Sequence, residues 1–170
     1  MDSALAPLPR AQTWSSTKIA LLPGAEGLGV FAVEAISVGE TLLALAHVFV
    51  EHAERHTIQL DVHLHQAGTG EIDDFLNHSC APNTALDFEH LELRAIKPVA
   101  AGEELSFNYL SSEWDMAAPF TCVCGAPNCY GLIRGFRHLN AEQQEALAPF
   151  ASAYLRRRLA EPRPQRTAQG

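Results

Sequence analysis

The sequence predicts a mainly β, β-rich α+β domain on three observations. Short apolar bursts recur between glycines over residues 17–50. A second series of short alternating runs continues to about residue 110, and the one clear helical spacing lies near the C-terminus. Strands interleaved with helix-length periodic segments would have indicated a parallel βαβ sheet, and that pattern is absent. With 170 residues and 47% hydrophobic content, the chain can bury one real core but would be cramped as two. A mean hydropathy of −0.03 and no apolar run near the ~18 residues of a span predict a soluble protein with no membrane partner.

Taken in order, residues 1–16 are rich in Ala, Pro and Ser without periodicity and read as a flexible lead-in with no secretory leader. TKIALL, GVFAVEAI and TLLALAHVFV follow as strand candidates, broken by Gly24, Gly27, Gly29 and Gly39. The second series is HTIQLDVHLHQ, DFLNHS, TALDFE, LELRAIKPV and ELSFNYL, with Gly68, Gly70, Pro82, Asn83, Pro98 and Gly102 in the turns. Near the C-terminus Asn140 is placed to cap a helix with Gln143 three positions on, and Pro149 must kink that helix or begin a second one. Arg156, Arg157 and Arg158 then fall at a helix end, where cations complement the dipole. The segment 161–170 has little to bury and reads as a mobile tail.

Formal net charge is −8, which argues against direct nucleic-acid binding, because that depends on neutralising phosphates. The imbalance is local. Glu71 to Asp115 holds ten acids against Arg94 and Lys97, while acids and bases cancel over the rest. Such a stretch is either a solvated face or a surface that draws in a basic partner.

Four cysteines make a second cluster. Cys122, Cys124 and Cys129 form C-x-C-x4-C, with Gly125 and Pro127 to turn the chain, and Cys80 lies far away in NHSCAPN. Four thiolates suit a tetrahedral structural zinc; two disulfides or free thiols are the alternatives on spacing alone. Histidines 52, 56, 63 and 65 fall within fourteen residues but give no complete ligand set, and they read as surface or loop residues.

Three strings belong together: GLGVFA at 27–32, FLNHSCAPN at 75–83 and GEELSFNY at 102–109, followed by C-x-C-x4-C and GLIRGF. In order and spacing they resemble the SET-domain family of S-adenosylmethionine-dependent protein-lysine methyltransferases with a post-SET zinc segment. The resemblance implies small curved sheets with pseudoknot-like threading. It also implies a SET domain over 17–117 and a zinc knuckle over 118–136, after which the helical spacing gives a C-terminal helical segment over 137–160. It assigns Cys80, Cys122, Cys124 and Cys129 to one structural Zn2+ and makes Tyr109 catalytic. Gly27, Leu28 and Gly29 would contact the methionine part of S-adenosylmethionine, while Asn77 and His78 would hold its amino-acid and adenine portions. Phe120 and Leu132 are candidates to cover the adenine, and ordinary packing accounts for them equally well.

Departures from the family pattern are informative. Asp74 stands where a basic residue is common, and Asn108 stands where F-D-Y has its acid. In GETLLALAH, Ala44 and Leu45 align where many lysine methyltransferases carry an acid and a second aromatic hydroxyl, so Phe49, Phe107 and Trp114 become the candidates to line a lysine channel. The expected function is methyl transfer to a lysine ε-amine of a protein or basic peptide. The alternatives are a small-molecule or other nucleophile, or a non-catalytic cofactor- or peptide-binding module. Two lysines against ten arginines suggest a GC-rich genome, hence a bacterial cytoplasm, or a nucleus if the source is eukaryotic.

Overall fold

The computed structural model describes residues 14–161. All of the tail assigned to 161–170 except Glu161, and most of the lead-in, therefore lie outside the described residues. β1 (Ile19–Gly24) and β2 (Gly27–Ala32) form a hairpin in register from Ile19↔Ala32 to Gly24↔Gly27. Only Ala25 and Glu26 separate them, and Gly27 takes φ +113°, a conformation that favours glycine.

The predicted run TLLALAHVFV divides into β3 (Thr41–Ala44) and β4 (Phe49–Val50). HTIQLDVHLHQ becomes a second hairpin, β5 (Ile58–Asp61) and β6 (Leu64–Gln66), which β4 joins as a third strand. DFLNHS behaves differently: Ile72–Phe75 is a 3-10 turn, and only Asn77–His78 (β7) is extended. β8 (Thr84–Asp87) and β9 (Glu92–Ala95) complete an antiparallel sheet in the order β3-β9-β8. ELSFNYL likewise contributes two strand residues, Ser106–Phe107 (β10), and then turns into a 3-10 segment at Tyr109–Ser111.

β10 runs parallel to β7, with Ser106 opposite Asn77 and Phe107 opposite His78. That pairing of residues twenty-nine apart sets the NHSC segment beside the motif ending in Tyr109. Behind it lies the main core, where Val30, Leu42, Leu43, Leu93 and Leu105 have no exposed surface.

A second core builds the C-terminal part. β11 (Phe120–Thr121) pairs with β12 (Leu132–Ile133), and α1 (Ala141–Leu147) and α2 (Ala153–Ala160) pack with Leu110, Ile133 and Phe136. Asn140 and Gln143 form the predicted capping box, Pro149 sits in a 3-10 turn between the helices, and Ser152 caps α2. Phe136 N–H donates to the Glu113 carbonyl at 2.7 Å and Arg137 N–H to the Trp114 carbonyl at 3.1 Å. These bonds fasten the segment after Tyr109 to the one after the cysteines. Arg157 pairs with Asp61 at 2.7 Å, and Arg158 stacks 4.6 Å above the Trp114 ring. Among the described residues, no helix is long and apolar enough to cross a membrane.

Candidate active site

Two cavities lie near Tyr109: His78 and Phe120, which touch its ring, line one, and the ring itself lines the other. The first is a cleft of ≈ 260 Å³ whose lining includes Glu26, Asn77, His78, Glu104, Phe120 and Val123. Its polar end is built by close approach of backbone and side chains. Asn77 Nδ2 donates to the Leu28 carbonyl at 3.3 Å and to Glu104 Oε1 at 2.7 Å. A Cβ on Gly29 would lie 2.3 Å from Glu104 Oε1 and 3.1 Å from Asn77 Nδ2, so glycine at this position is what lets the two side chains meet. Gly27 precedes it in the hairpin turn. Glu104 is a site residue that sequence reasoning counted only as one acid of a charged stretch.

At the other end, His78 stacks edge-on against Tyr109 (ring centroids 5.2 Å apart) and Phe120 (5.6 Å). Tyr109 N–H donates to His78 Nδ1 at 3.1 Å. The proton of the neutral ring is therefore on Nε2, which faces Cys80 Sγ at 3.3 Å. Burial holds His78 down to about 4, so the ring is neutral at ordinary pH.

The cleft suits S-adenosylmethionine chemically. Two carboxylates, Glu26 and Glu104, line it and complement an ammonium and a sulfonium; the imidazole adds no opposing charge; and Phe120 and Val123 offer apolar surface to a base. Leu132 is placed elsewhere. It is 52% exposed on β12 opposite Thr121 and is not among the residues lining the cleft.

The second cavity is narrow, ≈ 60 Å³, and its lining includes Arg55, Asp73, Leu76, Phe107, Tyr109 and Glu113. Tyr109 O–H donates to the Leu76 carbonyl at 2.6 Å, which fixes the ring in the wall of this cavity. Burial pushes its phenol up to about 12, so it stays a neutral donor. Of the three aromatics proposed for a channel, Phe107 lines this cavity. Trp114 instead packs on Phe136 and Arg158, and Phe49 is 45% exposed beside His47. Leu45 is buried in the main core, and neither it nor Ala44 lines the cavity. Sequence reasoning missed Asp73 and Glu113, which are both buried there.

The four cysteines converge. Their sulfurs all lie within 4.8 Å of one another, and Cys80 Sγ is 3.8 Å from both Cys122 Sγ and Cys129 Sγ. Tetrahedral zinc with Zn–S bonds of about 2.3 Å requires sulfurs about 3.8 Å apart. Backbone N–H groups of Cys124, Tyr130 and Gly131 point at the sulfurs of Cys122, Cys80 and Cys129, each at 3.4 Å, as thiolate ligands need. All four are free thiols, which removes the disulfide alternative. The cluster is compatible with one structural zinc. The histidines at 52, 56, 63 and 65 form no such set: among the described residues the cysteines are the only group of three or more suitable ligands.

The acidic stretch does not form one face. Asp87 and Glu92 pair with Arg94, Asp115 pairs with Arg137 and His138, and Asp73 and Glu113 are interior.

Comparison with known proteins agrees with this geometry. The family model of the SET domain matches residues 27–110. The methyltransferase flvH of Aspergillus flavus is 45% identical over 69 residues, covering 39% of each chain. The histone-lysine N-methyltransferase Su(var)3-9 of Drosophila pseudoobscura is 38% identical over 81 residues, 37% of this chain and 13% of the relative. The H3 lysine-36 specific histone-lysine N-methyltransferase of Aspergillus oryzae is 43% identical over 72 residues, 39% of this chain and 7% of the relative. The matches thus span well under two-thirds of these relatives. Among solved structures, KRYPTONITE in complex with mCHG DNA and SAH superposes with a TM-score of 0.55 at 22% identity, over 67% of this chain and 28% of that one. A second KRYPTONITE complex, with mCHH DNA, H3(1-15) peptide and SAH, matches equally at 0.55 and 21% identity, over 67% of this chain and 29% of that one.

Proposed function

The chain carries a SET domain over residues 27–110, and on that premise we propose that it is an S-adenosylmethionine-dependent methyltransferase whose acceptor is a lysine ε-amine of a protein or peptide. The position of Tyr109 carries this reading. Its ring meets His78 and Phe120 of the cleft, and it also lines the small cavity. A methyl group and an amine approaching from the two cavities would meet beside its hydroxyl.

When bound, S-adenosylmethionine supplies a methyl carbon activated by a sulfonium. Glu26 and Glu104 would complement the positive groups of its methionine part, Asn77 positions Glu104, and Phe120 would offer apolar surface to the adenine. Tyr109, locked by Leu76, orients the incoming nitrogen for in-line attack, and such positioning contributes several kcal/mol of barrier reduction. The nucleophile must be the neutral amine, whereas free lysine has a pKa of about 10.4. A cation close by in the cleft and the desolvation of a narrow cavity both disfavour the ammonium.

Zinc, held by Cys80, Cys122, Cys124 and Cys129, has a structural role in this proposal: it ties the NHSC segment to the C-terminal core. His78 Nε2 facing Cys80 Sγ links the zinc site to the cofactor cleft. The peptide substrate would be basic, and the corresponding compartment is the nucleus in a eukaryote or the cytoplasm in a bacterium.

Calorimetric titration with S-adenosylhomocysteine tests the cofactor assignment. The wild-type chain should bind one equivalent, and Asn77→Ala should bind at least tenfold more weakly. Absence of binding to the folded wild-type protein would refute the reading.

A further inference from the structure

The narrow cavity at Tyr109 contains two acids that packing alone does not explain. Asp73 is 6% exposed and Glu113 7% exposed. Among the described residues neither forms an ion pair. Asp73 Oδ2 accepts from Gln66 Nε2 at 3.2 Å and from Ala46 N–H at 3.4 Å, while its Oδ1 is buried without a hydrogen-bond partner. Glu113 Oε1 accepts from Gln59 N–H and from the Ser112 hydroxyl, both at 2.9 Å. One hairpin holds both carboxyls, because Gln59 lies on β5 next to Ile58, the strand partner of Gln66 on β6.

Resting on the methyl-transfer reading, we propose that Asp73 and Glu113 are the pair that receives the substrate's primary ammonium group in the Tyr109 cavity, with Glu113 accepting its proton before methyl transfer. An alkylammonium offers three donors and one positive charge on a slim chain. It therefore matches an orphaned carboxylate oxygen and a second carboxyl lining a cavity of ≈ 60 Å³. A metal ion does not fit, since the two acids lack the third ligand that only the cysteine cluster assembles among the described residues. A buried acid without a cation is costly, and a complementary charge from the ligand removes that cost.

The pair also answers the departure noted at Ala44 and Leu45: carboxyls enter the channel from β10's sequel and the 72–75 turn instead of from β3. Burial, with the neighbouring Asp74 charge, holds Asp73 above the usual carboxylate range, and burial pushes Glu113 up to about 7. An acid in that state takes a proton readily. In the step proposed, an N–H bond of the ammonium breaks and an O–H bond forms on Glu113. The electron pair stays on nitrogen. It then forms the N–C bond as the C–S bond of the sulfonium breaks and its electrons return to sulfur.

The test measures binding and turnover separately. Wild type, Asp73→Asn, Glu113→Gln and the exposed-pair control Asp87→Asn are saturated with S-adenosylhomocysteine and titrated with a lysine-containing peptide and, in a second arm, with 1,5-diaminopentane. At least one amine should bind the wild type and Asp87→Asn alike and bind the other two variants at least tenfold more weakly, with cofactor affinity unchanged in all four. The arm that binds identifies the source of the ammonium. With S-adenosylmethionine, Glu113→Gln should in addition lower kcat, whereas a purely structural role would leave kcat per folded molecule unmoved. Equal amine binding by all four proteins, or no binding of either amine to a wild type that binds cofactor, overturns the proposal. Amine binding that depends on Asp73 and Glu113 without any methyl transfer would keep the ammonium site and defeat the methyltransferase reading instead.

Discussion

Glu113→Gln should stabilise the folded protein, and only above a defined pH. Gln keeps the oxygen that accepts from Gln59 N–H and Ser112 Oγ and removes the charge. Burial raises the Glu113 carboxyl from 4.5 to about 7, so between those values the native state binds a proton that the unfolded chain has lost. Unfolding free energy therefore falls as pH climbs through this window. The contribution of the protonated acid is complete below about pH 4.5 and gone above about pH 7. A rise of about 2.5 pKa units corresponds to about 3 kcal/mol. At pH 8 the variant should exceed the wild type by up to that amount, and the difference should vanish near pH 4.5. Urea denaturation of both proteins, zinc-loaded, at pH steps from 4.5 to 8 measures this directly. A difference that does not change with pH, or a variant less stable at pH 8, would refute the claim that Glu113 is held in a desolvated carboxyl site.

Three further outcomes follow from particular contacts. Gly29→Ala places a Cβ 2.3 Å from the flexible end of Glu104, so Glu104 must swing away from Asn77; cofactor affinity by calorimetry should drop about tenfold, about 1.4 kcal/mol, while the thermal midpoint barely moves. Gly135→Ala is different, because φ is +122° and the new Cβ meets backbone, 2.5 Å from the Trp114 carbonyl oxygen; thermal denaturation should show a loss of at least about 3 kcal/mol. Metal analysis should find one zinc per chain. Cys129→Ala should lose that metal and about 3 kcal/mol or more of stability, with chelation of the wild type producing the same shift.

The strands were largely legible because their signals are local: apolar bursts such as TLLA and LELRA, bounded by glycine or proline, became β3 and β9. The capping box at Asn140 was legible for the same reason. The 3-10 turns at Ile72–Phe75 and Tyr109–Ser111 were not, since they overlap the short runs DFLNHS and ELSFNYL that read as strands between turn residues. Among candidate site residues, those carried by contiguous motifs come together: His78 meets Tyr109 and Phe120, Asn77 reaches the Leu28 carbonyl, and Cys80 joins the other three cysteines. Residues whose role depends on burial were hidden. Charge counting registers Asp73, Glu104 and Glu113 as identical acids, and only the fold distinguishes two interior carboxyls from one bonded to Asn77. The same blindness made the acidic stretch look like a surface; Trp114, a candidate for the channel that the sequence could not place, is held by Arg158 and Phe136 in the second core.

Transfer of labelled methyl from S-adenosylmethionine, by wild type beside Tyr109→Phe, tests the central claim most directly. Tyr109→Phe removes the hydroxyl that Leu76 fixes and leaves the ring packing, so cofactor affinity should persist. The wild type should label a lysine peptide or a small primary amine, and the variant should do so at least a hundredfold more slowly, about 2.7 kcal/mol of transition-state stabilisation. Cofactor-bound wild type that labels no amine, or a variant as fast as the wild type, would contradict it.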